Sequence, residues 1–301
     1  MQSQYKKQVE LLLRALPEVG KESCFAMHGG TTINLFLCDM PRLSVDIDLT
    51  YIPIENREET ISNINDALDR IKNNLVLAIP NLQVKHQNKI CKLLVSLPNA
   101  QIKIEVNTVG RGLLKPFISK PLCQKAQEKF DVFCVQPVVD KGQVYGGKIC
   151  AGLDRQHPRD LFDIKILFEN GGITEDIKHG FLLGLLSSDR PIHELLDPNR
   201  QDQRAAFSNQ FEGMASIPFS YEEYETIREK LIKEVNLCLT KQDKKFLLSV
   251  KNLTPDWTVY DFEKFPSVRW KLQNIQKLKE LNPEKYKQQL NKLKKTLYEK
   301  Y

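Results

Sequence analysis

The chain has 301 residues, 41% of them hydrophobic and 27% charged, with a formal net charge of +6 at pH 7. That composition excludes a disordered or fibrous chain and leaves room for one large or two ordinary globular domains. The longest apolar stretch, around Phe181–Leu186, falls far short of the roughly 20 residues a membrane helix needs. Seven scattered cysteines without a CxxC pair argue against a disulfide framework or a zinc knuckle. They point to a reducing compartment, as does an N-terminus that reads as an amphipathic helix without a signal-peptide core. The expected localisation is cytoplasmic. The charge excess is local: residues 271–301 hold nine lysines against three glutamates, which accounts for all of it.

In chain order, residues 1–16 read as a helix broken at Pro17 and Gly20. A glycine turn at Gly29–Gly30 opens a second helix through Thr31–Cys38. Val45–Tyr51 alternates as VDIDLTY, a half-buried strand with Asp46 and Asp48 on one face. A helix over 57–78 follows, with Ile61, Ile64, Leu68, Ile71 and Leu75 at helical spacing, then strands near 89–97 and 101–108. A helix near 121–130 leads to the apolar run VFCVQPVV and the glycine-spaced segment YGGKICAG. Pro158 starts a helix that stops at Gly171–Gly172. Helices are expected over 174–188, 220–240, 267–281 and 283–300, the last capped by Asn282 ahead of Pro283. KFLLSVK reads as an extra strand. The fold class is α/β (α+β), with a soft boundary at residue 170 between a mixed domain, 1–170, and a mostly helical one, 171–301.

Asp46-Ile47-Asp48 is the sharpest chemical feature. Two carboxylates at i and i+2 of a strand project from one face, and holding both ionised calls for a cation between them. A hard, oxygen-loving Mg²⁺ carrying phosphates suits such a pair. Glu105, on the polar face of the strand IKIEV, is a third carboxylate if that strand lies alongside; otherwise it is an exposed glutamate on an amphipathic edge. His28-Gly29-Gly30-Thr31 could let backbone amides approach a phosphate, although a glycine pair ahead of a helix is more often only a turn. Further on, Lys148 could offset phosphate charge and Asp163 could orient an attacking hydroxyl. Asp163 could equally pair with Arg159 one turn away, while Asp160 reads as a first-turn dipole partner. The five histidines lack HExxH spacing and no GxSxG is present, which excludes the common zinc and serine hydrolase patterns.

Taken in order, HGGTTINLF, RLSVDIDLTY, IKIEV and KICAGLDRQHPRDLFDI resemble the AbiEii/AbiGii-type toxin family of nucleotidyltransferase-fold proteins. The likeness continues through LLSSDRPIHELLDP, FEGM and the Trp270–Ile275 stretch, blocks to which no chemistry is attached. It implies a nucleotidyltransferase-like mixed sheet with flanking helices and the toxin half of a toxin–antitoxin or phage-defence pair. It also implies an enzyme that moves a nucleotide from an NTP to RNA, at the tRNA 3′ end, with Mg²⁺ and a cognate antitoxin. Matched position by position, Gly29, Gly30, Thr31, Ser44 and Lys148 fall in the nucleotide-binding set. Asp46 and Asp48 take the metal positions and, with Lys148 and Asp163, the catalytic ones. Glu105 is added as a metal ligand from strand pairing. Alternatives are transfer to a small molecule, or a catalytically silent nucleotide- or RNA-binding module of the same fold. The apolar stripe Tyr286, Leu290, Leu293 and Leu297 should dock the last helix. That leaves Lys285, Lys287, Lys292, Lys294, Lys295 and Lys300 on its outer side, either as an RNA-facing surface or as a solvated face that only keeps the protein soluble.

Overall fold

The computed structural model describes residues 2–300. It divides into two compact units, Met1–Val144 with Phe211–Pro218, and Tyr145–Gln210 with Phe219–Tyr301. This division is not the change of composition near residue 170: it falls inside a helix, and a short later segment returns to the first unit. Among the described residues no helix is long and apolar enough to cross a membrane.

The first unit is built on a seven-stranded mixed sheet of order β3-β4-β5-β2-β1-β7-β6. Helix α1 (Gln2–Val19) runs two residues past Pro17, which lacks an amide but ends no helix so close to its last turn. Strand β1 (Phe25–His28) leads straight into a short helix, α2 (Gly29–Thr32), which loosens into a π-helical stretch at Ile33–Leu37. Then come β2 (Asp46–Tyr51), α3 (Arg57–Ala78), β3 (Gln83–Gln87), β4 (Lys92–Leu97) and β5 (Ala100–Asn107). After β6 (Ile118–Pro121), α4 (Gln124–Phe130) and β7 (Val135–Val138), helix α5 (Lys141–Asp154) carries the chain across the division. The alternation in β2 and β5 does what it predicts: Ile47, Leu49, Ile102, Ile104 and Val106 are buried beneath α1 and α3, while the intervening polar residues face outward. β2 lies antiparallel to β1 and parallel to β5. β3 was not expected, because QVKHQ is polar on both faces, as a short edge strand can be.

The second unit is helical: the rest of α5, α6 (Pro158–Glu169), α7 (Glu175–Ser187), α8 (Ile192–Leu196), α9 (Arg204–Gln210), α10 (Tyr221–Leu237), α11 (Lys241–Lys251), α12 (Pro266–Leu281) and α13 (Pro283–Tyr298). One sequence expectation is corrected here, and one segment left unassigned takes its place. KFLLSVK is the end of α11, not a strand: Thr240 and Asp243 form a capping box, and Phe246, Leu247 and Val250 bury one helical face. YGGKICAG is the body of α5, and its glycines serve packing. A Cβ on Gly146 would lie 2.1 Å from the Gly180 carbonyl carbon, and one on Gly184 2.6 Å from Cys150 Sγ. Helices α5 and α7 therefore touch backbone to backbone. The stripe on α13 docks as expected through Tyr286, Leu293 and Leu297. Lys300 is not free, since its Nζ donates to Asp197 Oδ2 at 2.5 Å.

Candidate active site

In the first unit the predicted residues meet where β1 ends, α2 begins and β2 starts. The register sets His28 opposite Asp48 on one side and Glu105 opposite Asp48 on the other; Asp46 faces Lys103. Gly29 has φ +73°, and a Cβ there would sit 2.2 Å from Asp48 Oδ2. Only glycine lets the backbone turn this way and come so close to the carboxylate. The Thr31 hydroxyl hydrogen-bonds with the Asp46 carbonyl and, at 2.9 Å, with the Ser44 hydroxyl. Both hydroxyls are buried, so Thr31 and Ser44 latch the glycine turn onto the start of β2. The Thr32 hydroxyl donates to the His28 carbonyl at 2.8 Å and closes the turn from behind.

Arg42 is the residue that sequence reasoning passed over. It is 3% exposed, its Nη1 donates to the Leu43 carbonyl at 2.9 Å, and a Cβ on Gly30 would meet its Nη2 at 2.8 Å. The Asn34 side chain ties the same corner, donating to the Gly30 carbonyl and accepting from the Arg42 amide. The signal for Arg42 was its place four residues before Asp46, at the head of the strand motif.

Glu105 stands beside Asp48 in register, yet its carboxylate pairs with Lys92 on β4. Among the described residues no group of three or more His, Cys, Asp or Glu side chains is arranged to hold a metal. The expected three-carboxylate cluster is thus not assembled. The donors present still fit one kind of ion. Mg²⁺ keeps several waters and is bound by one or two carboxylates plus substrate phosphates rather than by a full protein cage. Asp46 and Asp48 supply two hard oxygen donors on one strand face, next to a glycine turn with backbone exposed at Asp48.

The second unit holds a separate charged cluster. Lys148 Nζ donates to Asp160 Oδ1 at 2.8 Å and lies 3.1 Å from Asp163 Oδ2. Arg155 Nε donates to Asp160 Oδ2 at 2.6 Å. Asp160 stands in the first turn of α6, as expected, but it and Asp163 are buried, at 1% and 0% exposed. Burial pushes the Asp160 carboxyl up, but Lys148 and Arg155 outweigh it and hold it well below the usual range. Asp163 has Lys148 as an ion-pair partner inside the unit. The His157 ring caps α6, its Nδ1 accepting from the Arg159 amide at 3.1 Å, and burial lowers its pKa. Burial pushes the thiol of Cys150 up to about 12 and those of Cys24 and Cys134 up to about 11, which holds these three in the unreactive protonated form.

Comparison with known proteins bears on the family and the fold. A family model described as nucleotidyl transferase AbiEii toxin, type IV toxin–antitoxin system, matches residues 10–274. A solved structure of MenT4, a nucleotidyltransferase toxin from Mycobacterium tuberculosis H37Rv, is similar with a TM-score of 0.61 and 14% identity. The alignment covers 90% of this chain and 93% of that one, and at such identity the likeness is one of fold. No curated protein matches the sequence. The family match takes in the glycine turn, the aspartate strand and the lysine–aspartate cluster alike. With those elements in family order along most of its length, the chain belongs to the AbiEii nucleotidyltransferase toxins of type IV toxin–antitoxin systems.

Proposed function

We propose that the chain transfers a nucleotide from an NTP to RNA, at the 3′ end of tRNA, in an Mg²⁺-assisted reaction. The observation that carries this reading is the seat of Asp48 against the Gly29 backbone, with Asp46 on the same strand face. Asp46 and Asp48 would hold the Mg²⁺, with Glu105 free to join only on leaving Lys92. When bound, the ion would draw charge from the triphosphate. The Gly29 and Gly30 backbone would face the phosphates, and Thr31 and Ser44 would keep that turn fixed on β2. The acceptor hydroxyl oxygen bonds to the α-phosphorus as the bond to pyrophosphate breaks, and the hydroxyl proton passes to water. Through the resemblance, Lys148 is assigned to offset charge on the departing pyrophosphate and Asp163 to accept the hydroxyl's hydrogen bond. On this reading residues 1–170 form the catalytic domain and 171–301 a helical domain with a basic end. A type IV toxin also has an antitoxin partner.

The test is incubation with each labelled NTP, Mg²⁺ and total bacterial RNA. Label on RNA of tRNA size, removed by trimming the 3′ end, is the expected result. Label confined to a small acceptor would assign the enzyme to small-molecule modification. No label with any NTP would leave a silent binding module.

A further inference from the structure

The FEGM block has no part in the chemistry above, although it belongs to the returning segment Phe211–Pro218. There the Leu43 amide donates to the Met214 carbonyl and the Ser216 amide to the Pro41 carbonyl, each at 2.9 Å. Arg42 and Ala215 form an antiparallel bridge between the two stretches. These bonds build one wall of a cavity of about 360 Å³ within the first unit. Its ionisable lining is wholly basic: Lys6 from α1, Arg42, and Lys125 and Lys129 one turn apart on α4. Met40 and Met214 add an apolar floor. Acids stand near the cavity, Glu128 and Glu212 beside it in sequence among them, but none is part of its lining. Asp39 accepts from the Lys125 backbone amide at 2.9 Å and is absent from the lining, and Glu10 lies 4.0 Å from Lys6 on an exposed helix face.

A concavity lined by one sign of charge concentrates the opposite ion. A buried guanidinium beside lysines suits phosphate oxygens in particular. We infer that this cavity binds a backbone phosphate of the acceptor RNA, with the adjoining ribose or base resting on Met40 and Met214. The inference rests on the RNA-acceptor reading above. Arg42 links the two: the guanidinium that lines the cavity also backs Gly30, so a strand held here is one side chain from the glycine turn. Arg42 is in this sense a positioning residue. The other three cations are exposed lysines, which suits a polyanion that sheds counterions as it binds.

The test uses the full chain carrying Lys125→Gln and Lys129→Gln, both on the exposed face of α4, with an unchanged thermal melt as the control for folding. Binding of end-labelled total tRNA is measured at several salt concentrations, and binding of each labelled NTP separately. The expected result is about tenfold weaker tRNA binding, with a salt slope lower by about 1.4–1.8 for two lost phosphate contacts. NTP binding should not change. The same charge change at exposed Lys85 and Lys89 should leave tRNA binding as it was. If the wild-type chain binds tRNA and the α4 variant binds it equally with the same slope, the cavity inference fails alone. If the wild-type chain binds no tRNA, both readings fail. Equal losses of tRNA and NTP affinity would assign the cavity to the triphosphate and overturn the RNA assignment.

Discussion

Asp46 and Asp48 sit on a strand whose other face is core, so replacing them removes chemistry and little packing. Asp46→Ala or Asp48→Ala is expected to abolish nucleotide transfer and growth inhibition while the melting temperature stays within a few degrees. Equal toxicity of both variants at equal expression would refute the metal assignment. Asp160 is the opposite case, since it is buried with the cation of Lys148 and also pairs with Arg155. Its folded pKa is depressed, so its contribution is complete above the unfolded value of about 3.9 and is lost as the pH falls below it. Asp160→Asn should cost about 3 kcal/mol at neutral pH by leaving Lys148 and Arg155 short of a buried partner. It should also flatten the acid limb of the stability curve, as urea unfolding at pH 7 and pH 3 will show. Asp163→Asn should instead lower activity at least a hundredfold per folded molecule. Similar activity losses with unchanged stability in both variants would contradict this split. The pattern of carboxylates was legible in the sequence, but their partners were not. Nothing in the spacing of Asp160 and Lys148 shows that they are buried together, and nothing in IKIEV shows that Lys92 lies across from Glu105.

Elements were read well where periodicity and end signals agree. The aspartate strand alternates cleanly, and the starts at Pro158 and Pro283 carry both a first-turn proline and a capping side chain, His157 and Asn282. They were left unassigned where composition and packing disagree, as at α5. Glycines weaken α5 as an isolated helix, yet α7 approaches it so closely that larger residues have no room. Gly146→Ala should therefore cost about 1–3 kcal/mol despite the better helix propensity of alanine; a stability gain in chemical unfolding would show that the crossing can open. Helix α13 packs its apolar stripe on α8, α11 and α12 and leaves Lys287, Lys294 and Lys295 exposed. Changing these three to glutamine should lower the salt slope of RNA binding by about 0.7–0.9 for each lysine that meets a phosphate, with NTP binding unaltered. An unchanged slope would assign the helix to solubility or antitoxin contact.

Across the whole molecule, the charge excess and the family-defining blocks lie apart. The family match ends at residue 274, and all of α13 follows it. The resemblance therefore could name the chemistry but had nothing to say about the basic end, which rests on composition alone. The route of the chain was equally hidden: no local pattern announces that eight residues near 211 leave a helical region to join the sheet-based unit. That route has a consequence for synthesis. A chain emerging from the ribosome completes all seven strands by residue 138, yet the wall beside Arg42 and Leu43 arrives only with residues 211–218. At ordinary elongation rates of about 5–20 residues per second, the gap lasts roughly 4–15 s. During that interval the nascent sheet exposes Met40 and the unpaired amide of Leu43 to whatever binds first. Ribosome-bound chains stalled after residue 144 should accordingly be cleaved by protease near residues 40–43, and chains stalled well past residue 218 should resist.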